Sequence, residues 1–333
     1  MSSVAIHVAS GAAFFSGSAA LVAGILLATF ARGRVPAAIG RLGILTGIFL
    51  IVLSATPLPV WAWCVWGATF LMWVAARFAR PIPENLNCGG AKDVDKQAHA
   101  IPPDPPLQRG ESTTRVRSPL ATASLLAVFA CTLAAMAWEV SWQLPPRGVP
   151  APFSQTPSPD ARSRLVVIGD SLSAEDFTEG GDPWPTLLAR EHAIEVVNLA
   201  FNGAKAGSAA KRVTSGEIGG AVVLVEIGGN DLLGGTTPAE FERDLDVLLT
   251  KAGDGPRLVV MLELPLPPLY NRFGEIQRRL AGRHNVVLVP KRYFASVLIG
   301  EEATLDGLHL SPAGHRRMAS MVWGQVSRFL KVM

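Results

Sequence analysis

The sequence predicts an α/β domain built on a parallel sheet and preceded by four membrane-spanning helices. The chain of 333 residues is 49% hydrophobic and 17% charged, with a mean hydropathy of +0.31, whereas soluble chains carry about 25% charged residues. The charge is also divided unevenly. Residues 1–160 hold 11 Lys or Arg and 7 Asp or Glu, which leaves 19 and 20 for residues 161–333. This composition excludes a disordered chain, collagen and a small disulfide-stapled protein.

Four apolar stretches of the first half are long enough to be membrane spans, since a hydrocarbon core of about 30 Å takes about 20 helical residues. The stretch 42–76 has no charge, but as one helix it would be about 52 Å long. Pro57 and Pro59 divide it into a hairpin of two spans. The predicted spans are residues 11–31, 37–56, 60–77 and 118–138. Residues 1–141 are therefore predicted to form a membrane domain.

The positions of Lys and Arg predict the orientation of these spans. Basic residues follow the first span and fill the loop 77–117, whereas none precedes the first span. Because basic loops stay on the cytoplasmic side, we expect a multi-pass protein of the cell (inner) membrane whose C-terminal domain faces the periplasm or the exterior. The span interiors carry no charge, which favours an anchor over a transport path.

The second half has the pattern of a parallel sheet covered by helices. Residues 142–161 are rich in Pro and predict a linker, so the domain is expected to occupy residues 162–333. Short apolar runs rich in Val and Ile alternate with segments of helical spacing, as in sheets with helices on their faces. The predicted strands are 165–168, 194–199, 222–227, 258–262 and 286–289, and the predicted helices are 184–191, 237–251, 270–283 and 312–330.

The residues that follow these strands have the chemistry of a serine hydrolase. Ligands bind at the carboxyl ends of parallel strands, and acyl transfer needs a nucleophile, a base, a group that orients the base, and donors for the oxyanion. Ser171 is the candidate nucleophile, His309 the base and Asp306 the orienting carboxylate. The backbone amide of Gly203 and the side-chain amide of Asn230 are candidate oxyanion donors.

Each assignment has a structural alternative. Asp306 is also placed to cap the approach to the last helix, Gly203 to form a tight turn and Asn230 to cap the segment after it. Ser173 is interpreted as a local turn hydroxyl and Trp184 as a packing residue. For Glu226, which ends a strand, a structural role is favoured over contact with the active-site loop. His192, His284 and His315 are interpreted as surface residues.

Four sequence blocks, GDSLS, NGA, GGND and DGLH, occur in this order between residues 165 and 330, and with them the chain resembles the SGNH (GDSL) hydrolase family. GDSLSA, WPTLL and VEIGGND are most similar to its bacterial thioesterase I/lysophospholipase type. The resemblance implies a flavodoxin-like three-layer α/β/α fold without metal or cofactor. It implies a triad of Ser171, Asp306 and His309, and an oxyanion hole of Ser171, Gly203 and Asn230. Glu175, Asp176 and Phe177 depart from that type, so a different pocket rim is expected.

The sequence therefore predicts a membrane-anchored serine esterase that hydrolyses acyl or acetyl esters through an acyl-enzyme at the outer face of the membrane. The expected substrate is a small acyl ester, a lipid or a glycan ester. Two alternatives stay open: an acyl or acetyl transferase or deacetylase that acts on envelope polysaccharide or lipid, and a non-catalytic membrane interaction protein. The chain has no Walker loop, zinc-ligand spacing or basic groove, so neither a bound metal nor a nucleic-acid partner is expected.

Overall fold

The structure is a computed structural model that describes residues 3–30, 33–54, 56–78, 119–144, 164–174, 181–213, 218, 222–298 and 302–330. Most of the predicted linker and of the basic loop 77–117 lies outside these residues. The chain forms two compact units. One unit comprises residues 1–59 and 134–333, and the other comprises residues 60–133.

The first unit begins with three helices, α1 (Ser3–Ala9), α2 (Ala12–Phe30) and α3 (Arg34–Leu53). Glycines let α2 and α3 approach closely. A Cβ atom on Gly24, Gly40 or Gly47 would lie 2.5 Å from a backbone nitrogen of the facing helix. Small residues at such crossings are typical of helices that pack in lipid.

The second unit contains α4 (Val60–Phe78) and the first part of α5 (Pro119–Gln143). Within it, Trp66 Nε1 donates a hydrogen bond of 3.1 Å to Thr132 Oγ1. Among the described residues, α2, α3 and α5 are long and apolar enough to cross a membrane, whereas the apolar run of α4 ends at Ala76 and is shorter. The structure thus supports three of the four predicted spans and does not confirm the one at 60–77.

The last helix of this set also runs past its predicted end. The span at 118–138 was expected to end at Glu139 because a charge is costly in lipid. Instead, α5 continues to Gln143 and Glu139 is fully buried. The helix therefore extends beyond the predicted span, whose end at residue 138 stays a prediction.

The C-terminal part of the chain is built on one five-stranded parallel sheet, as predicted. Its strands are β1 (Arg164–Gly169), β2 (Glu195–Asn198), β3 (Val222–Glu226), β4 (Leu258–Leu262) and β5 (Val287–Val289). They lie in the order β2-β1-β3-β4-β5, and every neighbouring pair is parallel. The central strands are buried along their length, which accounts for their unbroken Val and Leu content.

Seven helices and a short 3₁₀ turn, Ser327–Phe329, accompany this sheet. The helices are α6 (Trp184–His192), α7 (Ala206–Arg212), α8 (Gly229–Leu233), α9 (Pro238–Ala252), α10 (Asn271–Arg283), α11 (Lys291–Val297) and α12 (Pro312–Val326). α9 packs against α7 and α10, whereas α12 packs against α6 and α11. Right-handed crossovers in this strand order put α6 on one face and α7, α9 and α10 on the other. Ser311 Oγ accepts a hydrogen bond from Gly314 N–H at 3.1 Å, which confirms the predicted N-cap of α12.

Candidate active site

The turn that carries Ser171 begins where β1 ends. The N–H groups of Ser173 and Ala174 both donate to the Asp170 carbonyl, at 3.0 and 2.9 Å, so the chain turns sharply around Ser171. Gly169 has no room for a side chain, because a Cβ there would lie 2.7 Å from Ser173 Oγ. This tight packing leaves Ser171 half-buried at the carboxyl edge of the sheet.

Asp306 and His309 form a bonded pair in the loop before α12. His309 Nδ1 donates to Asp306 Oδ2 at 2.6 Å, and the N–H groups of Leu308 and His309 donate to Asp306 Oδ1 at 2.9 and 2.8 Å. These hydrogen bonds, with that from the His309 backbone the largest, hold the pKa of Asp306 well below its usual range. Asp306 therefore stays ionised and orients the imidazole through Nδ1.

The electrostatics of Asp170 connect this pair to the Ser171 turn. Burial raises the pKa of Asp170 to about 6, and a hydrogen bond from Leu172 N–H and the charge of His309 oppose that rise. Ser171 follows β1, and Asp306 and His309 lie in the loop before α12. The convergence of these three side chains stays a prediction.

The two other predicted oxyanion donors also lie at this edge. Gly203 is exposed in the turn after β2, with a φ of +70° that favours glycine. Asn230 lies in the first turn of α8, whose N-cap is Gly228, so Asn230 does not cap that helix. Asn230 Nδ2 donates to Asp170 Oδ2 and to the Ala204 carbonyl, both at 3.2 Å. Its amide therefore links the β1 turn to the segment that follows Gly203.

A chain of buried hydrogen bonds connects the Ser171 turn to the end of β3 and to the start of α6. Glu226 Oε2 accepts from Ser173 Oγ at 2.8 Å and from Asp170 N–H at 3.3 Å. Ser173 Oγ in turn accepts from Trp184 Nε1 at 3.2 Å. Burial, and then the neighbouring charge of Asp170, raise the pKa of Glu226 well above its usual range. The two carboxyl groups therefore keep a proton between them well above the pH at which exposed carboxyl groups ionise.

The chain is similar to known proteins over the part that contains this site. The model of the GDSL-like lipase/acylhydrolase family matches residues 167–317. Esterase TesA of Pseudomonas aeruginosa is 30% identical over 177 residues, which cover 49% of this chain and 87% of that protein. The chain belongs to the GDSL-like lipase/acylhydrolase family.

Two other relatives of this chain have names that describe related activities. An arylesterase of Vibrio mimicus is 29% identical over 192 residues, or 54% of this chain and 95% of that protein. Thioesterase 1/protease 1/lysophospholipase L1 of Escherichia coli is 31% identical over 158 residues, or 45% of this chain and 76% of that protein. The crystal structure of TesA is 28% identical and covers 50% of this chain and 99% of its own, with a TM-score of 0.46. The chain is thus an ester-hydrolysing enzyme of the GDSL-like family.

Several residues of this GDSL-like enzyme have roles that the sequence analysis missed. His315, expected at the surface, is 1% exposed, and its Nδ1 accepts a hydrogen bond from Trp184 N–H at 3.3 Å. Glu226, for which a purely structural role was favoured, does contact the Ser171 turn. An acidic residue that ends a buried strand was the available signal, because a buried carboxyl group needs partners. No cluster of three or more His, Cys, Asp or Glu that would hold a metal occurs within the described part of the chain.

Proposed function

We propose that the chain is a membrane-anchored serine esterase that cleaves acyl or acetyl esters through an acyl-enzyme on Ser171. The observation that carries this proposal is the 2.6 Å hydrogen bond between Asp306 and His309 in the loop before α12. A nucleophile, a base and a group that orients the base are the minimum set for this reaction.

In the proposed mechanism, His309 Nε2 takes the proton from Ser171 Oγ as that oxygen forms a bond to the ester carbonyl carbon. The carbonyl oxygen becomes an oxyanion, which the N–H groups of Ser171 and Gly203 and the amide of Asn230 stabilise. The bond to the alcohol oxygen then breaks, and His309 returns the proton to the leaving alkoxide. A water molecule attacks the acyl group in the second half, again with His309 as base, and releases the acid and free Ser171.

The membrane anchor in this proposal consists of four spans in α2, α3, α4 and α5. Of these helices, α2, α3 and α5 are long and apolar enough to span a bilayer, and α4 has a shorter apolar run. The uneven distribution of Lys and Arg supports an orientation with the hydrolase part at the outer face. A site in that position would act on esters of the outer membrane leaflet or of the surrounding envelope.

Labelling with a fluorophosphonate probe tests the proposed nucleophile. The full chain in detergent should be labelled and should hydrolyse p-nitrophenyl butyrate, whereas Ser171→Ala should lose both properties. Ser320→Ala is the matched control, because Ser320 is an exposed serine of α12. Full esterase activity in Ser171→Ala would refute the assignment. Sealed vesicles of known orientation, treated with a membrane-impermeant probe, would report the side on which Ser171 lies.

A further inference from the structure

A buried charge cluster joins the end of α5 to the hydrolase part. Arg278 donates to both carboxylate oxygens of Glu139, at 2.6 and 3.1 Å, and to Glu263 at 2.7 Å. Lys291 Nζ lies 4.0 Å from Glu139. None of these four side chains is more than 4% exposed. A buried ion pair requires close geometry to offset desolvation, so this contact holds α5 in one position.

The other two apolar helices of the same unit have ends at this junction as well. At the start of α2, the Ser10 carbonyl accepts a hydrogen bond from Gln143 Nε2 at 3.4 Å, and Gly11 packs against Lys291. After α3, the Thr56 carbonyl accepts from Asn271 Nδ2 at 3.1 Å. The start of α2 and the ends of α3 and α5 therefore share one side, which is the arrangement that four alternating spans, with α4 as the third, would give.

These helix ends meet the sheet at the edge that carries the catalytic groups. Glu263 directly follows β4, and Lys291 comes two residues after β5. Ser171 follows β1 in the same way, and Asn230 follows β3. Because all five strands are parallel, these residues lie at one edge. The helix ends cover the β4 and β5 portion, and the active site occupies the β2, β1 and β3 portion.

Exposed apolar side chains of the hydrolase part concentrate at this edge. Six large hydrophobic residues of its described portion are exposed, and only Val247, on α9, lies in a helix that runs along the sheet. The other five form the set we call the edge patch: Leu233, Leu269, Tyr270, Leu305 and Leu308. Leu269 is 75% exposed and has a φ of +71°, a conformation that a leucine rarely adopts. Exposed apolar patches and strained backbone both mark interaction sites.

We propose that the edge patch rests on the lipid bilayer that holds α2, α3 and α5, so that ester substrates reach Ser171 from the bilayer. This inference rests on the proposed function, and on the membrane anchor in particular. The patch continues the surface where the helix ends dock, and helices that leave the bilayer there bring its apolar side chains to the lipid interface. Leu305 and Leu308 flank Asp306, so lipid contact at these side chains puts the catalytic loop at the membrane surface.

Spin-label accessibility tests the position of the patch. The full chain, with Cys64, Cys88 and Cys131 replaced by Ser, would carry a nitroxide at Leu269→Cys, Leu308→Cys or Val247→Cys in phosphatidylcholine vesicles. Labels at 269 and 308 should collide more with oxygen and less with a water-soluble nickel chelate than the control label at 247. Equal exposure of all three labels to the nickel chelate would overturn the proposal.

Kinetics separate this inference from the proposed esterase. The rate on p-nitrophenyl butyrate in water would be compared with the rate on p-nitrophenyl palmitate embedded in the same vesicles. Leu269→Ser should lower the ratio of embedded to soluble rate by about tenfold, since lipid contact of a leucine is lost, and Val247→Ser should leave it unchanged. An unaltered ratio in Leu269→Ser, with active enzyme, refutes the lipid contact alone. Absence of turnover on both esters in the unmodified chain refutes the esterase itself.

Discussion

Asp170 and Glu226 are buried carboxyl groups beside the Ser171 turn. Their protonation should make the free energy of unfolding depend on pH. Burial raises the pKa of Asp170 to about 6 and the pKa of Glu226 well above its usual range. The folded enzyme therefore holds protons that the unfolded chain releases at about pH 4. Its free energy of unfolding should fall as the pH rises through this interval, because ionisation of the buried groups is easier after unfolding.

The variant Glu226→Gln should flatten this dependence. A glutamine keeps an oxygen acceptor for Ser173 Oγ and Asp170 N–H, but it cannot ionise, so the raised pKa of Glu226 no longer contributes to the pH dependence. The unfolding temperature of the variant should fall less between about pH 5 and pH 8 than that of the unmodified chain. Thermal unfolding of the full chain in detergent, followed by tryptophan fluorescence, measures both curves. If the unfolding temperatures of the two proteins changed equally with pH, the raised pKa of Glu226 would be contradicted.

The orientation of His309 by Asp306 gives a second prediction at the residue scale. Asp306→Asn removes the charge that stabilises the imidazolium and allows the imidazole to take the wrong tautomer. Turnover of p-nitrophenyl butyrate should fall by about two to four orders of magnitude, while fluorophosphonate labelling of Ser171 slows without disappearing. The variant Asp254→Asn, at an exposed position after α9, is the charge-matched control. Unchanged turnover in Asp306→Asn would mean that Asp306 only shapes the loop.

The sequence predicted the location of these groups because each one directly follows a strand or precedes the last helix. Ser171, Gly203 and Asn230 follow β1, β2 and β3, and the parallel arrangement alone brings them together. The hydrogen-bond chain from Trp184 through Ser173 to Glu226 was beyond such reasoning. It joins the end of one strand, a turn and a later helix, and only the folded backbone shows which side chains face one another.

At the scale of elements, the end of α5 illustrates how tertiary partners override a local pattern. Glu139, which was predicted to close the span, lies inside a helix that reaches Gln143, and Arg278 and Lys291 lie beside its carboxylate. Arg278→Ala would leave two buried carboxylates, Glu139 and Glu263, with Lys291 as the remaining cation of the cluster, and the loss of a buried partner costs about 3–5 kcal/mol. The full chain should therefore unfold at a markedly lower temperature in detergent.

A neighbouring arginine provides the control for this experiment. Arg279 pairs with Glu242 at the surface, where both side chains are partly exposed, and pairs of this kind contribute about 0–1 kcal/mol. Arg279→Ala should consequently change the unfolding temperature little. Similar shifts in the two variants would show that the buried cluster does not hold α5 to the hydrolase part.

The short helices mark the limit of periodicity as a signal. The helices α7, α8 and α11 have seven, five and seven residues, too few for an apolar repeat to stand out. Longer helices such as α9 and α10 were predicted close to their observed bounds because their buried faces recur every three to four residues. The strand β2 was also predicted, although it is two residues shorter than its apolar run.

At the scale of the whole molecule, the composition separated an apolar first half from a hydrolase half, but it did not reveal how the halves meet. The strand order and the contact between residues 139 and 278 depend on chain crossovers and on partners far apart in sequence. The predicted span at 60–77 stays a prediction, because the apolar run of α4 ends at Ala76 and is shorter than those of α2, α3 and α5. The hydropathy pattern predicted the helices and strands within each half, because each half has its own apolar surface to bury.

The separate core of the hydrolase part leads to the last prediction. The buried hydrophobic cluster runs from Leu165 to Leu330 and includes no residue from the apolar helices except the partly buried Trp142 at its margin. A fragment of residues 162–333 should therefore fold and hydrolyse p-nitrophenyl butyrate at a rate close to that of the full chain. It should unfold at a lower temperature, because Arg278 and Lys291 lose Glu139 and become hydrated. It should also lose its preference for vesicle-embedded esters, since nothing then holds the edge patch to a bilayer.

Two outcomes would contradict this prediction. If circular dichroism shows that the fragment is unfolded, the helix ends are part of the folding unit. If the fragment keeps the full preference for embedded esters, the helices do not position the site.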